Sequence, residues 1–285
     1  MRRYTLFLLI SSVALSTSCN SGLSSTQSDR PPSPEITAVT QLSHEDYGMI
    51  LQTYVNAEGL VNYAALQANP APLKAFIAQL GAVSPSAYEA WEEPEKIAFL
   101  INAYNAITLE SIIEQNPIKG SIKDILGVWN LKRHQVMGRS LTLDAIEHEI
   151  LRKDFQEPRI HAALVCAAVS CPILRQEPYK ADQLDAQLED QVRKWISSPH
   201  GLQIDRSQNQ VGISAIFNWF GEDWQTQYAV EGKFVGSAKE RAVLNFISNY
   251  VSPEDKAYLE QGNYKLNYLN YDWALNQQPP ASAPE

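Results

Sequence analysis

The spacing of apolar and polar positions predicts a chain that is mostly helical, with a few short strands. Residues 44–55 are amphipathic, and a turn at Gly59 leads into a short extended piece over 60–63. Over 72–81, Leu73, Phe76, Ile77 and Leu80 fall on one face of a helix. Over 95–115 the apolar positions Ile97, Leu100, Ile101, Tyr104, Ile107 and Ile112 spread around much of the circumference, which predicts a central, buried helix. Residues 129–137 and 140–143 read as two arms of a hairpin around Gly138. Thr142 then caps a helix over 143–153 whose apolar face is Leu143, Ile146, Ile150 and Leu151. Further helices are expected over 182–196, 215–220 (capped by Ser214), 237–250 and 253–261. A hairpin is expected over 202–205 and 210–213, and a last strand over 264–269. More helix than strand, and no regular βαβ repeat, gives the α+β class: a single mostly helical domain with a small antiparallel or mixed sheet and hairpins.

One segment stands apart from this scheme. In 159–174, RIHAALVCAAVSCPIL, Ile160, Ala162 and Leu164 alternate with His161, Ala163 and Val165, which predicts a buried strand. Pro172 disfavours helix at Cys171, so the strand is expected to run into a Ser-Cys-Pro turn. A thiol on a turn at a strand end is a common address for chemistry in α/β proteins.

The ends carry a different composition. Residues 1–19 have the layout of an export signal: Arg2 and Arg3, then a largely apolar run over 4–15, too short to cross a bilayer as a helix. Ser16-Thr17-Ser18-Cys19 resembles a lipobox with Cys19 as the lipidated residue, although the usual leucine stands one place early, at Leu15. Plain cleavage near the same point is the other reading. The expectation is an exported protein, periplasmic or anchored to the outer membrane by lipid on Cys19. Residues 20–40, rich in Ser, Thr and Pro, suit a disordered tether, and 277–285 a disordered tail. The domain is expected to occupy 41–276.

Charge excludes more than it suggests. The chain has 23 basic and 32 acidic residues, a net charge of −9; without Arg2 and Arg3 the balance is 21 against 32, or −11. With no basic run, nucleic acid is not an expected partner. No cofactor-binding motif is evident either.

The candidate chemistry centres on Cys166 and Cys171, the cysteines outside the leader. Arithmetic in an oxidising compartment favours a disulfide. In an extended strand, however, the two would lie about 16 Å apart, so the bridge needs the strand to end near Cys166. A nucleophilic thiol is the second reading: Cys171 with His161 or His148 as base, Glu147 or Asp272 orienting the imidazole, and Asn102 stabilising charge as an amide donor. A metal site from Cys166, Cys171, His148 and His161 would satisfy zinc in kind but lacks the short Cys-x-x-Cys knuckle. Plain burial of both cysteines is the fourth.

The other polar positions have bland readings beside the chemical ones. Asn102, Asn105 and Thr108 share a side of the buried helix, where an amide must find hydrogen bonds, and holding neighbouring loops would supply them. Glu147 falls inside an apolar face, where an ion pair with Arg152 or Arg159 would accommodate it. His44, His134 and His200 read as surface or loop residues. Trp219, Phe220, Trp224, Tyr228, Tyr264, Tyr268, Tyr271 and Trp273 can line a peptide or carbohydrate groove, or simply fill a core.

Taken together and in order, five blocks resemble the domain of unknown function 547 (DUF547) family. They are FLINAYNAITL at 99–109, SLTLDAIEHEILR at 140–152, RIHAALVCAAVSCPIL at 159–174, residues 214–220 and YDWALN at 271–276. The resemblance spans roughly 46–276. It implies no settled activity; bacterial members are often exported, and plant members carry the domain behind a coiled coil that this chain lacks. Ala167 replaces the family's usual glycine after the first cysteine, and Val169 a usual basic residue. If cytosolic relatives keep the cysteine pair, a disulfide alone is not its reason. The reading reached from the sequence is a thiol-dependent hydrolase or acyl transferase acting on an envelope peptide, amide or protein. Its alternative is a non-catalytic binding or scaffold lipoprotein with a structural Cys166–Cys171 pair.

Overall fold

The computed structural model describes residues 44–279. The expected leader, Cys19 and the tether lie outside the described residues, as do 280–285. The chain opens with α1 (Glu45–Tyr54), α2 (Tyr63–Ala68), α3 (Ala71–Ala82) and α4 (Pro85–Ala90), which surround the long α5 (Glu93–Ile113). Proline at the first turn of α3, α4 and α5 costs no intrahelical bond, because those N–H groups have no partner in any helix. Helix α5 is buried almost throughout, from Ile97 to Ile113. Its apolar residues point all round because it is packed on all sides.

A hairpin, β1 (His134–Val136) and β2 (Arg139–Leu141), leads into a helix whose centre, Ala145–Leu151, is a π-helix and whose end, α6 (Arg152–Asp154), is α-helical. Thr142 caps it by accepting from the N–H of Ala145. The second half contains α7 (Leu184–Ser197), the antiparallel pair β3 (Leu202–Asp205) and β4 (Gln210–Ile213), and α8 (Ala215–Phe220). It continues through α9 (Gln225–Tyr228), α10 (Ala238–Ile247), α11 (Pro253–Gln261) and β5 (Lys265–Tyr268), which pairs parallel with β4. Two apolar clusters result, one around α5 and one around α7, β4, α8 and α10. The fold is α+β and mostly helical, with one hairpin and one mixed three-stranded sheet.

Residues 159–165 do not form the expected strand. Pro158–Ala162 is a 3-10 helix, with the Glu157 side chain accepting from the N–H of Arg159, and the chain then runs irregularly to Cys171. Residues 160–165 are all buried, so apolar side chains occur on every side of the segment and alternation carries no information about it. The hydrogen bonds that a neighbouring strand would make come instead from α5. Asn105 donates to the carbonyl of Ala163 and accepts from the N–H of Val165, both at 2.9 Å.

Beyond this clamp, 167–170 meets the C-terminal segment. Val169 donates to Ala274, Asn276 to Ala167, and Ala168 forms a bridge with Leu275. On its other side Gly59, at φ 76°, lies so close that a Cβ would stand 2.6 Å from Cβ of Ile173. The folded chain also extends past Asn276, into the expected tail. Gln277 bridges Val61, and the Gln278 amide donates to the carbonyls of Tyr54 and Leu60.

Candidate functional site

Cys166 and Cys171 are free thiols on a loop folded back upon itself. The N–H of Cys166 donates to Sγ of Cys171 at 3.1 Å, and the N–H of Ala168 donates to the same sulfur. Ala167 makes this possible in the left-handed conformation, at φ 60°, a turn that gathers successive N–H groups around one negative centre. Glycine would suit that conformation better than alanine does.

The Tyr271 hydroxyl lies 3.0 Å from Sγ of Cys171 and 3.2 Å from Sγ of Cys166. Burial raises the Cys171 thiol, but the Cys166 thiol, the Tyr271 hydroxyl and the two backbone N–H groups together bring it below its ordinary value. The hydrogen bond to Cys171 and burial push Cys166 well above its own. Of the pair, Cys171 is the one whose thiol ionises the more readily.

His161, 3% exposed, stacks on Phe220 with ring centres 4.7 Å apart. Its Nε2 meets Oδ2 of Asp223 at 2.7 Å. Arg152 grips the same carboxylate with two bonds, Nε to Oδ2 at 2.7 Å and Nη2 to Oδ1 at 2.9 Å. Burial would raise the Asp223 carboxyl; the hydrogen bonds from His161 and Arg152 hold it down to about 2. The acid that orients His161 is therefore Asp223, on the 3-10 turn Gly221–Trp224 after α8, and not Glu147 or Asp272.

Glu147 and His148 sit on the π-helix, whose wider turn changes which side chains share a face. Among the described residues no ion pair joins Glu147 to Arg152 or Arg159. Arg159 pairs with Glu157 and Asp185, while Glu147 accepts from the Tyr104 hydroxyl and lies 4.0 Å from Nδ1 of His148. That nitrogen accepts from Arg152 at 3.3 Å, and Nε2 of His148 lies 3.9 Å from Asp144.

A cavity of about 200 Å³ brings these groups to one surface. Cys166, Cys171, His161, Glu147, His148 and Asp144 line it, together with Tyr104, Trp129, Trp219, Phe220, Tyr271 and Trp273. Two of the sequence candidates stand elsewhere. Asn102 holds the backbone of Tyr179, donating to its carbonyl at 2.8 Å and accepting from its N–H at 2.9 Å, with Nδ1 of His44 at 3.2 Å. Asp272 is exposed, and its Oδ1 accepts from the N–H of Ala274. Of the remaining histidines, His44 and His200 are partly exposed and lie outside helices and strands, as expected, but His134 does not. His134 is buried, and His200 bonds the Ser170 hydroxyl. Among the described residues no three His, Cys, Asp or Glu side chains are grouped to hold a metal ion.

Residues 88–196 match the model of the family described as protein of unknown function, DUF547. Over this span the chain is similar to the DUF547 family. The matched span runs from within α4 to near the end of α7 and contains Glu147, His148, His161, Cys166 and Cys171. Asp223 and Tyr271, which complete the site, lie beyond it. No curated protein and no solved structure matches the chain.

Proposed function

We propose that this protein is a thiol-dependent hydrolase or acyl transferase acting on a peptide or amide. The observation that carries the reading is one cavity lined by both a thiol whose ionisation four hydrogen-bond donors ease and an imidazole oriented by a half-buried aspartate. Cys171 Sγ attacks the acyl carbon. The Tyr271 hydroxyl, already 3.0 Å from that sulfur, is the donor nearest the developing oxyanion, the part first considered for Asn102. With Nε2 of His161 bonded to Asp223, Nδ1 is the nitrogen left to deliver a proton to the departing amine as the C–N bond breaks. Water or a second amine then attacks the thioester, returns its proton to His161 and frees Cys171.

The test is intact-mass and peptide mapping after exposure to p-nitrophenyl acetate as a generic acyl donor. Acylation is expected at Cys171, absent in Cys171→Ser, with turnover of the acyl-enzyme slowed about 10²-fold or more in His161→Gln. A Cys171 that never acylates, together with a Cys171→Ser protein that only melts earlier, would instead favour the non-catalytic scaffold.

The compartment belongs to the same proposal. Arg2 and Arg3, the apolar run 4–15 and Cys19 support export and a lipid anchor, which would place the site in the envelope. Among the described residues no helix is long and apolar enough to cross a membrane. Fractionation should find the protein with membranes and Cys19→Ala in the soluble periplasmic fraction. A Cys19→Ala protein that still sediments with membranes would rule out the lipid anchor.

A further inference from the structure

The wall of the cavity has a composition that thiol chemistry does not explain. Around it, Trp219 lies 4.8 Å from Tyr271 and 5.7 Å from Trp273, Tyr271 lies 4.6 Å from Trp273, and Trp129 lies 6.1 Å from Trp273, all between ring centres. The charged groups set into this aromatic wall are carboxylates. Glu147, its side chain 12% exposed, and Asp144, 40% exposed, both line the cavity, and no lysine or arginine does.

Among the described residues no lysine or arginine forms an ion pair with either of them. Arg152, the nearest guanidinium in sequence, forms its ion pairs with Asp223 and Glu222. Among the described residues the ion-pair partner of both Glu147 and Asp144 is His148, at 4.0 and 3.9 Å. Nδ1 of His148 in turn accepts a hydrogen bond from Arg152. A largely desolvated carboxylate at an aromatic cavity, satisfied by a phenol rather than a cation, is half of an ion pair. Lys123, 5.1 Å over the ring of Trp273, shows that the protein itself uses one of these rings as a cation platform.

We propose that the cavity recognises an organic ammonium group, a primary amine carried on a short apolar or aromatic body, with Glu147 and Asp144 as counter-charges and the Trp129, Trp219, Tyr271 and Trp273 rings as walls. Carboxylate- and phosphate-bearing ligands are disfavoured by the same charges. This deepens the acyl-transfer reading and rests on it only for the fate of the amine. There the ammonium group marks the substrate as an amino-acid or peptide unit with a free amine, held beside Cys171 as acyl donor or acceptor.

The experiment compares three probes of one shape, phenethylamine, 2-phenylethanol and 3-phenylpropionate, by titration calorimetry on the exported full-length protein at neutral pH. The amine is expected to bind at least about tenfold more tightly than the alcohol or the acid, the scale of one ion pair with a cation–π contact. Glu147→Gln should erase that preference while leaving the alcohol's binding unchanged. Asp144→Asn, at a more exposed position, serves if Glu147→Gln does not fold. Equal binding of amine and alcohol, preference for the acid, or no amine binding up to millimolar concentration would overturn the proposal. Cys171→Ser separates the two readings. Retained amine preference without acylation leaves the ammonium site standing when thiol chemistry is removed, and acylation of the native protein without amine preference sinks the site alone.

Discussion

At the scale of single residues, the reactive feature of the site is how hydrogen bonds alone make a buried thiol easier to ionise. Hydrogen bonds to an ionised group are worth about 1.5–3 kcal/mol each, enough for four donors to outweigh desolvation. Tyr271 is the donor that can be removed without touching the backbone. Tyr271→Phe should slow alkylation of Cys171 by iodoacetamide at mildly acidic pH by about tenfold, with the pH profile displaced upward. An unchanged profile would mean that the two backbone N–H groups and Cys166 suffice. The sequence disclosed the thiols, His161 and Glu147, because those residue types are rare or misplaced for an apolar face. It could not disclose Asp223 or Tyr271. They reach His161 and Cys171 from 62 and 100 residues away, and nothing local distinguishes them from any other surface aspartate or core tyrosine.

At the scale of elements, helix α5 does the work of a sheet neighbour. Two buried asparagines each hold a backbone N–H and a backbone carbonyl of an irregular segment, Asn102 at Tyr179 and Asn105 at Ala163 and Val165. Asn105→Leu keeps the volume but strands both backbone groups of the thiol loop. It should cost about 2–4 kcal/mol of stability, read from urea denaturation, and loosen Cys166 and Cys171 toward alkylation. A loss under 1 kcal/mol would show that the loop is held from the C-terminal side alone. The same clamp explains an error of sequence reading. The hairpin Leu202–Asp205 with Gln210–Ile213 was legible to the residue, since one face of it is covered and the other wet. Residues 159–165 were not, because covering on all sides erases the period that separates strand from coil. The helix over 143–153 was legible as a helix, but its π-turn was not, and that turn decides which side of it meets the cavity.

At the scale of the whole molecule, acid should undo the fold in two stages. Burial, with Lys180 nearby in the case of His44 and Lys132 in the case of His134, lowers both imidazoles to about 4. The unfolded chain therefore takes up protons first, near the ordinary value of about 6.5. Stability that is fully present above that pH is lost as pH falls toward 4. Asp223, held down to about 2, contributes above the ordinary carboxylate value of about 3.9, and its contribution disappears between there and about pH 2. The melting temperature should decline steadily from pH 7 to 4 and steeply below. His134→Gln should flatten the first part, and a temperature flat between pH 7 and 4.5 in the native protein would contradict this account.

The pairing of 167–170 with 272–276 also sets the order in which the site can exist. The thiols, the histidine and the π-helix lie about 100 residues or more upstream of the phenol beside one sulfur and of the strap behind it. A chain whose synthesis has not passed residue 276 carries both cysteines but not the groups that surround them. Reaching that far segment thus acts as a safety catch, and the site arises only in molecules that contain it.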